Sequence, residues 1–254
     1  MGIQNIGATV VGGCSVACLD LMATARMMLD LARAPARKEG PYYLTSVNGE
    51  VLARRFFDRE FAKLIDCADS IAADGQPLVV ASKLFSQKKP LPERVATTDL
   101  YPLVARLAQD TGASFYLLGA SEEVNRAAYE ATRRIAPRLN IVGRSHGFLK
   151  GAALEAKLDE INALAPDILW LAMGVPLEQQ FVRDYAHRLK NVKMIKTSGG
   201  LFDFVAGAKK RAPKWMQLIG LEWAFRLKLE PRRLFKRYLT TNPVAAYLLL
   251  TQTH

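Results

Sequence analysis

Asp74 is the residue whose type and setting first suggest chemistry. It is the one carboxylate in SIAADGQPLVV (Ser70 to Val80), set against a glycine with apolar residues close behind. Asp-Gly is a common turn dipeptide, because Asp bonds its own backbone and Gly accepts positive φ. A tight turn can also hold a carboxylate at the mouth of a pocket, and the dipeptide alone leaves both readings open. Other polar or glycine-rich turns recur along the chain: TSVNGE (Thr45–Glu50), ADGQP (Ala73–Pro77), LLGASEE (Leu117–Glu123), AMGVPLEQQ (Ala172–Gln180) and TSGGLFD (Thr197–Asp203). In an open parallel sheet, ligands sit beyond the carboxyl ends of the strands, where such turns lead into helices. Each turn alone is weak evidence; together they describe one rim.

LLGASEE has one glycine where the dinucleotide fingerprint needs three, so hydride transfer on a nicotinamide cofactor has little support. Its Gly119, Ala120 and Ser121, leading into a helix, can still receive a phosphate or ribose on free N–H groups. No phosphate-binding loop of the G-x-x-x-x-G-K-[ST] type is present, which disfavours ATP hydrolysis. Three cysteines and three scattered histidines offer neither a disulfide framework nor a zinc site.

The elements that would position this rim alternate. Short apolar runs at Thr9–Val11, Tyr42–Val47, Leu78–Val80, Ser114–Leu118, Asn140–Val142, Ile168–Ala172 and Lys193–Thr197 read as strands. Amphipathic stretches at Asp20–Ala34, Glu50–Ala68, Leu100–Asp110, Glu122–Ile135, Ala153–Leu164 and Leu177–Leu189 read as helices. The expectation is an α/β fold with a largely parallel, Rossmann-like sheet covered by helices on both faces. It should occupy residues 1–204, with a basic helical C-terminal appendage over 205–254.

The appendage reading comes from charge. The chain carries a net charge of +11; between Val205 and Arg237 ten basic residues face two acids, an excess of +8. Trp215, Leu218, Leu221, Trp223 and Phe225 are interleaved with these cations, a pattern suited to phosphates on lipid, nucleic acid or a diphosphate substrate. An ordinary packed helical pair with a solvated basic face fits the same composition. No apolar run approaches the ~20 residues of a spanning helix, and the N-terminus lacks a basic leader, so the expected compartment is the cytoplasm.

The ordered motifs SVN with ADG, PERV with TDL, YLLGAS, NIVGRSHGF, INALAPDILWLAMGVP, GGLFDFVAG, RAPKWMQLIGLEWAFRL and EPRRLFKRYL carry a resemblance. From about Val10 to Asn242 the chain resembles the WecG/TagA/CpsF glycosyltransferases (glycosyltransferase family 26) of bacterial surface-polysaccharide and teichoic-acid assembly. The resemblance implies an inverting transfer from a UDP-sugar to an undecaprenyl-diphosphate-linked saccharide. It makes Asp74 the base and gives Ser46 the place of a hydroxyl that bonds sugar or acceptor. It implies donor binding by Asn48, Gly75, Gly119, Ala120, Ser121, Gly143, Gly174, Pro176, Glu178, Gln179, Gly200 and Asp203. Acceptor binding falls to Thr97, Asp99, Arg226, Arg232, Arg233 and Arg237, the arginines lying on an appendage over the active site. Asn48 also reads as a helix N-cap.

Two departures from the family pattern stand out. Relatives often read Gly-x-Pro-x-Gln-Glu where this chain has GVPLEQ, so Glu178 and Gln179 exchange roles and Glu178 becomes a rival base. Thr97 stands where relatives often place a glycine. A uronic-acid donor would call for a cation such as Arg144 or Lys150. The further expectations are no metal or other cofactor, no nucleic-acid partner, and peripheral attachment to the anionic inner face of the cytoplasmic membrane. Self-association is left open. A nucleic-acid-binding protein using the basic tail, or a catalytically silent assembly partner, are the competing classes.

Overall fold

The structure is a computed structural model that describes residues 6–254; the first five residues of the expected core lie outside them. A hairpin of β1 (Ala8–Val11) and β2 (Cys14–Ala17) comes first, and the sequence reading had found only its first strand. Gly12 and Gly13 make its turn with φ of +58° and +74°, the left-handed pair a two-residue hairpin requires. A side chain at Gly12 would also lie 2.8 Å from Leu52 Cδ1, so the turn sits directly on the core.

Six parallel strands form the central sheet: β3 (Tyr42–Val47), β4 (Ser70–Ala73), β5 (Ser114–Gly119), β6 (Asn140–Ser145), β7 (Ile168–Ala172) and β8 (Met194–Thr197). Their spatial order is β4-β3-β8-β7-β5-β6. Strands β5 and β7 are nearly continuous apolar runs because both faces are covered. Phe115, Leu117 and Trp170 pack on one face with α1 (Leu21–Arg33), α5 (Thr97–Thr111), α6 (Glu122–Ile135) and the short α9 (Leu201–Val205). Tyr116, Leu118, Leu169 and Leu171 face the other way, against α7 (Gly151–Leu164) and α8 (Leu177–Tyr185). The chain leaves β5 for one face and β7 for the other, so a crevice opens between the loops after Gly119 and Ala172.

Two sequence assignments need correction. The run Leu78–Val80 is not a strand; it lies inside α4 (Gln76–Phe85), and the strand is the preceding Ser70–Ala73. Pro77 suits a first helical turn, and a three-residue apolar run cannot distinguish strand from helix by periodicity. The correction moves Asp74 to the carboxyl end of a strand. The expected helix Glu50–Ala68 is two helices, α2 (Gly49–Phe57) and α3 (Arg59–Asp66). Asp58 divides them: its N–H closes α2 on Arg54, while its carboxylate caps α3 by accepting from Phe61 N at 2.9 Å.

The C-terminal segment forms α10 (Lys214–Leu218), α11 (Glu222–Leu229) and α12 (Pro231–Thr251). Pro213 and Pro231 mark helix starts, as their missing N–H favours. Leu248 and Leu249 are buried with Val51, Leu52 and Leu78, and the tail returns to the hairpin, where Gly13 N donates to Gln252 O and His254 N to Val10 O. The last turns of α12 are therefore core, and only α10, α11 and the first half of α12 resemble the expected appendage. Leu248→Ala (2 % exposed) is expected to cost about 2–5 kcal/mol in urea unfolding. Leu239→Ala (64 % exposed) on the same helix should change stability by less than about 0.5 kcal/mol.

Candidate active site

Asp74 N donates to Val47 O at 2.8 Å, continuing the β3–β4 ladder by one bond and setting the carboxylate just past the sheet edge. Val95 N donates to Ala73 O at 2.8 Å and draws the PERV segment alongside. Thr97, in the first turn of α5, then donates its hydroxyl to Asp74 Oδ2 at 3.3 Å. Arg94 brings Nη2 to 3.6 Å from Oδ1, and the same Nη2 lies 2.8 Å from Glu222 Oε2 on α11. Burial pushes the Asp74 carboxyl above its ordinary value; Arg94 and then Lys196 oppose this, Glu222 adds to it, and Arg226 opposes it weakly. A carboxylate raised in this way holds a proton more tightly than an ordinary aspartate, which suits it to receive one.

Lys196 lies behind the carboxylate. It is 1 % exposed and projects from β8, a strand otherwise built of buried, uncharged residues. Its Nζ donates to Ser46 Oγ and to Thr197 O, both at 2.8 Å, and Ser46 Oγ lies 3.3 Å from Thr97 Oγ1. Burial pulls its ammonium down to about 8, against the favourable fields of Glu178 and Asp74.

Glu178 is 2 % exposed and ties α8 to the loop after β8. Its Oε2 accepts from Gly199 N at 2.8 Å and Ser198 N at 3.3 Å, while Oε1 accepts from the Gln179 amide. Burial raises its pKa, opposed first by the Gly199 N–H. The arrangement turns Glu178 inward rather than toward a substrate, so the geometry does not support it as the rival base. Two N–H groups of the TSGG turn are also occupied by this carboxylate, which leaves them unable to receive a diphosphate.

The other expected site residues divide. Asn48 caps α2 through Val51 N, and Gly75, N-cap of α4, packs against its backbone, so both stand beside Asp74. Gly119, Ala120 and Ser121 line the crevice. A side chain at Gly119 would come within 2.1 Å of Ala172 O, and Ser121 spends its oxygen capping α6 through Val124 N. Gly174 and Pro176 form the opposing loop. Gly143 lies within β6, where a Cβ would meet the Tyr116 ring at 2.4 Å; packing accounts for it, and it is not on the rim. Gly200 starts α9, and Asp203 pairs with Lys209. Thr97 belongs to Asp74, as described, whereas Asp99 is held bidentately by Arg211.

The four arginines named from the sequence have different surroundings. Arg226 stacks over Phe204 and acts on Asp74, Arg237 pairs with Glu50 of α2 at 2.9 Å, Arg233 pairs with Glu230, and Arg232 is exposed. Arg144 is engaged by Glu122 at 2.7 Å, while Lys150 begins α7 from the loop after β6. Among the described residues, no group of three or more His, Cys, Asp or Glu side chains is gathered as metal ligands would be.

Residues 9–254 match the Glycosyl transferase WecG/TagA/CpsF family. The chain belongs to this family. As a WecG/TagA/CpsF protein it is a glycosyltransferase, and two relatives show the breadth of the likeness. An N-acetylglucosaminyldiphosphoundecaprenol N-acetyl-beta-D-mannosaminyltransferase of Bacillus subtilis (strain 168) is 30 % identical over 206 residues, 81 % of this chain and 78 % of that protein. An enzyme of the same name from Bacillus spizizenii is 30 % identical over 191 residues, 75 % of this chain and 72 % of that one.

Three charged residues that surround Asp74 are not picked out by the sequence motifs: Arg94, Lys196 and Glu222. Lys196 had a legible signal, a single cation in the apolar strand run MIKT just before a glycine turn. Arg94 and Glu222 are 128 positions apart, and only the fold brings them together.

The raised Asp74 pKa has a consequence for stability. The folded state holds its proton more tightly than the unfolded chain, so stability falls as pH rises from the unfolded value through the folded one, and ionised Asp74 remains a cost above it. Asp74→Asn should therefore melt at or above the parent temperature at pH 7, measured by thermal unfolding. The difference should shrink below pH 4, where the parent residue is also neutral.

Proposed function

We propose that this glycosyltransferase moves a sugar from a UDP-sugar to a polyprenyl-diphosphate-linked saccharide with inversion at the anomeric carbon, and that Asp74 is the general base. The observation that carries the reading is the Asp74 carboxylate at the carboxyl end of β4, raised in pKa by burial and held by Thr97 and Arg94. The acceptor hydroxyl gives its proton to Asp74 as its oxygen bonds the anomeric carbon. The bond from that carbon to the UDP oxygen breaks on the opposite face, and UDP leaves with the electron pair. Arg226 is the appendage cation best placed to meet the departing diphosphate. The names of the two relatives support N-acetylmannosamine as the transferred unit and an N-acetylglucosaminyl-diphosphate lipid as acceptor.

No metal enters this scheme. Arg94 lies between the carboxylates of Asp74 and Glu222, filling with a guanidinium the place a divalent cation would need. Incubation of UDP-N-acetylmannosamine with a short lipid-diphosphate N-acetylglucosamine, scoring UDP release, tests the whole reading. Turnover should persist in excess EDTA, and Asp74→Asn should lower kcat by roughly 10²–10⁴ with donor binding nearly intact. Parent-like turnover in that variant would sink the base, and loss in EDTA reversed by Mg or Mn would sink the metal-free scheme. A silent assembly partner would release no UDP with any donor.

The same proposal places the protein on the inner face of the cytoplasmic membrane. No helix among the described residues is long and apolar enough to cross a membrane. Trp215, Leu218, Ile219, Phe235 and Leu239 stand exposed on and around α10 and α12, with Lys210, Lys214, Arg232 and Lys236 beside them in sequence. Anionic lipid attracts such a surface by about 1 kcal/mol per cation, screened by salt, and the apolar residues add insertion that salt does not screen. Sedimentation with phosphatidylglycerol vesicles should be strong in low salt, and a Leu218→Glu, Phe235→Glu double variant should lose it. Undiminished sedimentation of that variant would show that this face is not the one that binds.

A further inference from the structure

Lys196 has no part in the chemistry above, yet it is the most deeply buried cation near the site. It has two hydrogen-bond acceptors, Thr197 O and Ser46 Oγ. An ammonium can only donate, so Ser46 must accept from it, and the one Ser46 proton is left for Thr97 Oγ1 at 3.3 Å. An ionised carboxylate can only accept, so Thr97 must direct its own proton to Asp74 Oδ2, also at 3.3 Å. Both ends of the chain Lys196, Ser46, Thr97, Asp74 are thus pinned by groups with no choice of role, and the two hydroxyls between them have one consistent orientation.

We propose that Lys196 is a positioning residue for the base: through Ser46 and Thr97 it commits Asp74 Oδ2 to an accepted hydrogen bond, and so leaves Oδ1, which Arg94 Nη2 approaches only to 3.6 Å, as the oxygen that takes the acceptor's proton. The inference rests on the reading of Asp74 as base. Thr97 thereby gains a role unlike the acceptor contact expected from the sequence, and Ser46 becomes a relay of orientation.

The charged surroundings agree with this. Lys196 is faced by Glu178 from α8 and by Asp74 from the β4–α4 turn. Asp74 is faced by Arg94 from the segment before α5, Lys196 from β8, and Glu222 and Arg226 from α11. Removing the Lys196 charge takes away a cation that favours ionised Asp74, so the carboxylate holds its proton to higher pH. The hydroxyl chain also loses its donor end and can reverse.

The test uses full-length protein in the UDP-release assay across pH. Lys196→Met should lower kcat roughly tenfold or more, move the acid limb of kcat/KM to higher pH, and leave the donor KM within about threefold. Ser46→Ala should lower kcat similarly with Lys196 still charged. The double variant should be no worse than the poorer single variant within about twofold, because both break one chain. Lys196→Met strands Glu178 in a buried pocket; if it does not fold, Lys196→Met with Glu178→Gln removes both charges and is compared with Glu178→Gln alone. Parent-like kcat in Ser46→Ala, an unmoved acid limb in the Lys196 variant, or fully multiplicative losses in the double variant would each overturn the proposal. Asp74→Asn in the same assay separates the two claims. If it turns over normally the base is misassigned, whereas if it is inactive and Lys196→Met is parent-like, only the role of Lys196 fails.

Discussion

A lysine ammonium inside a parallel sheet must find acceptors and counter-charge within a few ångströms, because no water reaches it to share the load. Lys196 finds a carbonyl in its own strand, a hydroxyl on β3, and the fields of two carboxylates. Much of the site follows from this requirement. Ser46 is turned toward Lys196, Thr97 toward Ser46, and Glu178 is drawn in from α8 to close the loop after β8. The carboxyl edge of the sheet is therefore built around a buried, nearly balanced set of charges. Sets of this kind are sensitive to single substitutions because each member is satisfied by the others.

The second arrangement of this type is Arg94 between Asp74 and Glu222. It joins three parts of the chain: the turn after β4, the segment leading to α5, and the first turn of α11. The basic C-terminal segment is thereby connected to Asp74 through an acid, one of the two it contains, as well as through Arg226. Its far end is locked into the core by Leu248, Leu249 and the bonds from Gln252 and His254 to the hairpin. A segment held at both ends in this way can carry an exposed apolar and cationic surface while remaining in fixed relation to the carboxyl edge of the sheet.

The alternation of apolar runs and amphipathic stretches was enough to determine a parallel α/β sheet, and turn composition picked out the turns that follow its strands. Periodicity has this power because burial on both faces of a sheet leaves so few sequence patterns possible. It failed where runs were short: three apolar residues at Leu78–Val80 fit strand or helix equally, and a capping aspartate at Asp58 divided what looked like one helix. Asp74 stood out in the sequence, and the family motifs implied a role for it. Only the tertiary structure decided what surrounds it. The partners Arg94, Thr97, Lys196 and Glu222 are separated from it by 20 to 148 positions, and hydrogen bonds and charge fields between them fall away within a few ångströms, a distance that chain spacing does not encode. For the same reason charge counting identified the basic segment but could not say that Arg237 faces Glu50, Arg226 faces Phe204, and Arg232 faces solvent.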